Sequence, residues 1–197
     1  MIYFYSGTPG SGKSLHTAKE IYNQLFKKKK NVIANFEINM DIYNSKKKKG
    51  IFEYVPNYNL TPDYLIDFAR LNHITKKEGQ TILVIDECQI IFNSRTWQQN
   101  GRKEWIEFFT QHRKFSFDII LISQFDRLID RQIRSLIEYE TVHRKVNNFK
   151  VGDYLPIVLF VAVTRWYSQN AKINSKFFIY KKKYAQMYDS YKTFKDN

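Results

Sequence analysis

The chain has 197 residues, 43% of them hydrophobic and 17% aromatic, and a formal net charge of +13. That apolar content suits one packed domain and excludes a chain disordered throughout, while the positive excess favours anionic partners, either nucleic acid or an anionic membrane surface. The single cysteine, Cys88, permits no internal disulfide, which fits a reducing cytoplasm, and it follows an apolar run as a small packing residue.

Ile2-Tyr3-Phe4-Tyr5 reads as a short apolar strand that starts directly after Met1, so no signal peptide is expected. A glycine-rich loop, Gly7-Thr8-Pro9-Gly10-Ser11-Gly12-Lys13-Ser14, leads into a helix over about Lys13 to Lys27, with Leu15, Ala18, Ile21, Tyr22 and Leu25 at helical spacing. Asn31 to Asn35 and Ile51 to Val55 predict two further strands. The lysine runs Lys27–Lys30 and Lys46–Lys49 read as solvated turns, or more sharply as contacts to a phosphate backbone.

Thr61-Pro62-Asp63 signals a helix start: threonine caps, proline suits the first turn and the acid complements the dipole. That helix runs to about Asn72. Thr81 to Ile85 is a continuous apolar strand ending in Asp86-Glu87, and a loop with Trp97 leads to a helix over about Arg102 to His112 with Trp105, Phe108 and Phe109 on its apolar side. Asp118 to Ser123 predicts the next buried strand, followed by a helical or irregular link to Arg134. Late strands fall near Ile137–Lys145, Ile157–Arg165 and Phe177–Lys181, and a charged tail forms a short helix. The longest apolar run, Leu155 to Val163, is far short of the roughly 20 residues of a membrane span and reads as a buried strand.

Strands alternating with helices predict an α/β three-layer sandwich with a mainly parallel central sheet and antiparallel additions at one edge. The chain reads as one domain over 1–197, with a core over about 1–145 and strand additions and a tail over about 146–197. Loops at the carboxyl ends of the strands should carry the site.

The first loop fits the phosphate-binding pattern of P-loop nucleoside triphosphatases throughout. Glycines let the backbone N–H groups curl around a phosphate, and the helix adds its positive end. Lys13 is expected at the β- and γ-phosphates of ATP, and Ser14 at Mg²⁺. The strand Ile82-Leu83-Val84-Ile85 delivers Asp86 toward that metal, and Glu87 is the candidate general base for water. Gln124, with Ser123 second, ends a buried strand where a polar group senses the γ-phosphate. Arg113, Arg131, Arg134 and Arg144 are candidates to stabilise the transferred phosphoryl group, in cis or from a neighbouring subunit. His16, His73, His112 and His143 show no metal-ligand spacing.

At His112-Arg113-Lys114, Asp118-Ile119-Ile120-Leu121-Ile122-Ser123-Gln124, Leu128-Ile129-Asp130 and Ile133-Arg134, the chain resembles the ATPase domain of the zonula occludens toxin (Zot) family. That family includes the filamentous-phage gene I assembly proteins and is similar in turn to the FtsK/HerA motor ATPases. The resemblance spans about Met1 to Lys145. It implies a motor that extrudes single-stranded DNA while coat protein assembles on it, working as a homo-oligomer with a hexamer as the count to test. It also implies Lys13, Ser14, Asp86 and Glu87 at the nucleotide, Gln124 as sensor and Arg134 as a contact in trans. Family members continue into a transmembrane helix, and these 197 residues contain no such segment. The expected place is therefore cytoplasmic, peripheral at the inner face of the host membrane, with membrane-protein and phage coat or assembly partners. Rival readings are a DNA-packaging ATPase of the same superfamily, a small-molecule kinase and a non-catalytic nucleotide-gated module.

Overall fold

The computed structural model describes residues 1–40, 49–74, 77–94, 101–151 and 155–188. Within them one sheet is built from β1 (Ile2–Ser6), β2 (Asn31–Ala34), β3 (Phe52–Tyr54), β4 (Thr81–Ile85), β5 (Phe117–Ile122), β6 (Tyr139–Val151), β7 (Leu155–Trp166) and β8 (Lys172–Ile179). The order is β3-β2-β4-β5-β1-β6-β7-β8. Pairs from β3 through β6 are parallel, whereas β6–β7 and β7–β8 are antiparallel. The helices are α1 (Lys13–Tyr22), α2 (Pro62–Asn72), α3 (Arg102–Gln111), α4 (Arg131–Ser135) and α5 (Lys182–Ala185).

The five residues of β4 are all buried because a central parallel strand is covered on both faces. Leu83 and Ile85 join a core with Leu65, Phe68, Phe108 and Phe109 from α2 and α3. Ile82 and Val84 join the opposite core with Ala18, Ile21 and Leu25. Three layers result, with the helical stripes predicted for α1 and α3 facing the sheet. Thr61 caps α2 as expected, its hydroxyl accepting from the Tyr64 N–H at 3.2 Å.

Several boundaries differ from the sequence expectations. The helix predicted to Lys27 ends as a π-helical turn over Asn23–Lys27, where Lys28 N–H reaches back to Asn23 O. The strand predicted near Phe177 begins at Lys172, because pairing with β7 and not apolar content defines it. Leu155–Val163 is not a wholly buried strand. Phe160 and Ala162 are buried against Leu15 of α1, while Leu159, Val161 and Val163 are partly exposed on the other face, as in an antiparallel ribbon covered on one side. Residue 145 lies inside β6, so the late strands continue the sheet. Trp97 and Lys46–Lys48 lie outside the described residues.

Candidate nucleotide site

β1 brings Ser6 to the carboxyl edge of the sheet, and the chain leaves it through Gly7 at φ +141°. A Cβ there would lie 2.6 Å from the His143 carbonyl oxygen, so only glycine fits the loop against β6. At Gly12, φ +92°, a Cβ would lie 2.7 Å from Cδ1 of Phe160 on β7. The late antiparallel strands are therefore the bed of the loop. Ser11 N–H donates to Thr8 O at 3.1 Å, and the first bond of α1 is His16 N–H to Gly12 O at 3.0 Å. The N–H groups of Lys13, Ser14 and Leu15 precede that ladder, an anion-receptive end. Within the loop, the Ser11 hydroxyl is buried with no hydrogen-bond partner among the described residues.

Lys13 Nζ donates to Gly7 O at 2.6 Å and to Thr8 O at 3.2 Å, which folds the side chain back along the loop. Burial lowers its pKa, while the carboxylates of Asp86 and Glu87 act in the opposite direction. The charges of the lysine and the acids are thus linked, although Lys13 opens α1 and the acids follow β4.

Asp86 and Glu87 follow β4. Asn35, at the end of β2 and 1% exposed, accepts from Asp86 N–H at 2.7 Å and donates through Nδ2 to Asp86 O at 2.8 Å. The Asp86 carboxylate accepts the Glu87 N–H on Oδ1 at 2.8 Å and the Tyr188 hydroxyl on Oδ2. Burial raises the Asp86 pKa, opposed by the Tyr188 and Glu87 hydrogen bonds. Glu87 has φ 45° and ψ 44°, a left-handed conformation that a non-glycine residue adopts at a cost of order 1–3 kcal/mol. Gln89 Nε2 donates to its Oε2 and orients the carboxylate. Asn35 had a sequence signal, a polar residue closing an apolar strand. Tyr188 had none, since it lies 102 residues from Asp86.

β5 lies between β4 and β1. Gln124 therefore sits at the carboxyl edge between the glycine loop and the Asp86-Glu87 pair, partly exposed. Ser123 is 1% exposed, and its N–H donates to Tyr5 O at 3.2 Å. Its hydroxyl donates to Phe125 O at 3.3 Å, while Gln124 is the more exposed of the two polar side chains at this strand end.

The arginines separate. Arg113 pairs with Glu138 at 2.7 Å, and Glu138 N–H bonds Ile2 O, so this pair sits at the amino end of β1, away from the loop. Arg134 lies in the crossover returning to that same end, where its charge acts on Tyr167, itself bonded to Asp126 at 2.8 Å. The geometry does not bring Arg134 to the glycine loop of its own chain. Arg144 is exposed on β6, beside the loop-facing His143. His112 is buried with Nδ1 on Phe109 O at 2.6 Å, so the His112-Arg113 pair anchors α3.

No local pattern joins His16 to His143, yet their rings are bonded, Nδ1 to Nε2, at 2.8 Å. His143 Nδ1 lies 3.1 Å from the Ser6 carbonyl, which only accepts. His143 therefore donates from Nδ1 to Ser6 O, and its bare Nε2 accepts from His16 Nδ1–H. Burial lowers the pKa of His16 to about 4 and that of His143 to about 3. Beside them, Ser6 Oγ donates to Glu140 Oε1 at 2.6 Å, and Arg165 donates to Glu140 Oε2 at 2.6 and 2.9 Å.

The donors fit a nucleoside triphosphate with Mg²⁺. The Ser14 hydroxyl and the Asp86 carboxylate are hard oxygen donors of the kind that could hold this ion, and Lys13 with the loop N–H groups could cradle a phosphate. This sheet, with a glycine loop between β1 and α1 and an acidic pair after β4, has the fold of the P-loop nucleoside triphosphatases. Residues 1–195 match the family model for zonular occludens toxin (Zot), and the chain belongs to that family.

The Gene 1 protein of Enterobacteria phage fd is 29% identical over 147 residues, covering 72% of this chain and 41% of that protein. The matching region thus spans less than half the length of this relative. The N-terminal domain of zonular occludens toxin from Neisseria meningitidis superposes with a TM-score of 0.54 at 18% identity, covering 95% of this chain and 98% of that one. B204, the DNA-packaging ATPase from Sulfolobus turreted icosahedral virus, gives a TM-score of 0.55 at 16% identity, with 91% and 96% coverage.

Proposed function

We propose that this domain is an ATP-hydrolysing motor for filamentous phage virion assembly and export of single-stranded DNA. The observation that carries the reading is the shared carboxyl edge of the sheet, where the glycine loop with Lys13 leaves β1 and the Asp86-Glu87 pair leaves β4, with only β5 between them. Lys13 binds the β- and γ-phosphates, and the N–H groups of the loop hold them in place. Ser14 and Asp86 hold Mg²⁺, which neutralises phosphate charge when bound. Glu87, oriented by Gln89, accepts a proton from the attacking water, and Gln124 responds to the γ-phosphate.

Arg134 lies away from its own loop, so in this reading it acts on the nucleotide of a neighbouring copy, in a homo-oligomer such as a hexamer. The DNA reading draws support from charge. Residues 154–188 contain no acid and six cations: Arg165, Lys172, Lys176, Lys181, Lys182 and Lys183. Among the described residues no helix is long and apolar enough to cross a membrane, and contact with a membrane or with coat and assembly proteins belongs to the proposal.

The test is steady-state ATP hydrolysis with and without single-stranded DNA, for the native protein and for Glu87→Gln. Hydrolysis that rises with DNA and falls at least a hundredfold in the variant, with nucleotide binding retained, is the expected result. Phosphoryl transfer to a small acceptor would move the domain to the kinases. Nucleotide binding without turnover, in the assembled oligomer with DNA, would make it a gated module.

A further inference from the structure

After β8 the chain turns back across the α1 face of the sheet. Lys183 Nζ stands 4.0 Å from the Tyr22 ring centroid, and Tyr184 packs on the same ring at 5.7 Å. Beyond α5, Met187 is 1% exposed and Tyr188 8% exposed, both in the core that holds Val84 and Ile122. Asn39 N–H donates to Met187 O at 2.9 Å, and the Tyr188 ring lies 4.1 Å from that of Phe36. The phenol is thereby fixed, and its hydroxyl ends on Oδ2 of Asp86. Each carboxylate oxygen of Asp86 thus has a defined donor, one from the next peptide and one from a segment 102 residues away.

We propose that Tyr188 is a positioning residue for Asp86, and that through it the segment 181–188 is thermodynamically coupled to the metal–nucleotide site. The inference rests on the nucleotide reading above. A carboxylate that binds Mg²⁺, directly or through a water, must be held at one rotamer, and an outer-shell hydrogen bond does this at a typical worth of about 10–100-fold in affinity. Coupling is reciprocal: if the Tyr188 contact favours the loaded site, loading must favour the docked segment by the same factor. The consequence reaches beyond the site, because the strap that carries Tyr188 also covers α1, the helix that begins at the phosphate loop.

The experiment measures binding of a non-hydrolysable fluorescent ATP analogue against Mg²⁺ concentration, together with amide hydrogen exchange over 181–188, in the native protein, Tyr188→Phe and Met187→Ala. Tyr188→Phe keeps the ring on Phe36 and removes only the hydroxyl. It is expected to raise the Mg²⁺ half-saturation about tenfold while leaving analogue affinity without Mg²⁺ within about twofold. In the native protein, Mg²⁺ with the analogue should slow exchange over 181–188, and Tyr188→Phe should abolish that slowing. Met187→Ala removes the buried anchor of the strap without touching the hydroxyl, and should raise the Mg²⁺ half-saturation about threefold by the same linkage. An unchanged or lowered half-saturation in Tyr188→Phe, or faster exchange on loading, would overturn the coupling while leaving the nucleotide site intact. No Mg²⁺-dependent binding in the native protein would overturn both.

Discussion

Asn35 holds Asp86 by both of its backbone polar groups: Oδ1 accepts from the Asp86 N–H at 2.7 Å and Nδ2 donates to the Asp86 carbonyl at 2.8 Å. The same Nδ2 also donates to Asn57 Oδ1 at 2.8 Å. One side chain at the end of β2 thus replaces the ladder bonds that β4 loses where its chain turns into the left-handed Glu87. The acid pair is set by a neighbouring strand, not by its own sequence alone.

Asn35→Ala would leave a buried N–H and C=O without partners, each worth about 1–3 kcal/mol. The expected loss of stability is about 2–3 kcal/mol in urea denaturation, accompanied by weaker Mg²⁺-dependent nucleotide binding. A variant as stable as the native protein would show that water or Asn57 restores the bonds.

Gly7→Ala places a methyl 2.6 Å from a backbone oxygen of β6, at a φ of +141°. Backbone on the β6 side cannot yield as a flexible side chain would, so the loop must move. Nucleotide binding measured by titration calorimetry should fall below detection, with a stability loss of about 1–3 kcal/mol.

Glu140 accepts from Ser6 on one oxygen and from Arg165 on the other, joining the loop entry to β7. Glu140→Ala leaves the Arg165 charge without its partner. Removing one member of a wholly buried pair costs about 3–5 kcal/mol, but the Arg165 side chain is 36% exposed, so about 2 kcal/mol is expected. Glu140→Gln keeps one acceptor, its amide oxygen, for Arg165, while its NH₂ faces a Ser6 hydroxyl that can turn to accept, so it should lose about half as much. Thermal unfolding of the two variants checks the order.

The His16–His143 pair gives a pH dependence with a definite sign. Both rings have pKa values lowered from 6.5, to about 4 and about 3, so they stay neutral in the fold while the unfolded chain takes up protons. Their contribution is fully present above about pH 7 and is lost as pH falls from 6.5 toward those lower values. At about 1.4 kcal/mol per pH unit for each ring, stability should drop on the order of 2 kcal/mol between pH 7.5 and 5.5. His143→Gln should roughly halve that slope in urea denaturation at the two pH values.

Much of the architecture was written locally. The glycine loop, the Thr61 cap and the run Thr81–Ile85 each carry a complete short-range signal: required φ values, a side chain able to cap, and residues apolar on both faces of a strand. Those signals located β1, α1, α2 and β4 and the class of fold, and they make Lys13, Ser14, Asp86 and Glu87 the candidates for the site. The boundaries of β6, β7 and β8 were less legible, because antiparallel pairing extends a strand as far as its partner supplies hydrogen bonds, whatever the side chains. The half-open face of β7 was likewise invisible, since a run of apolar residues does not say how many sides will be covered.

By itself, then, the sequence determined that a glycine loop and an acidic strand end exist, because each is a property of a few consecutive residues. Only the tertiary structure decided what holds them: Asn35 and Tyr188 on Asp86, His143 and Phe160 beneath the loop, Glu140 between Ser6 and Arg165. It also decided that Arg134 lies away from its own loop. These relations join residues far apart in the chain: 25 positions for Glu140–Arg165, 51 for Asn35–Asp86, 102 for Tyr188–Asp86 and 134 for Ser6–Glu140. No local pattern encodes them, because they arise from which strands become neighbours and in what register.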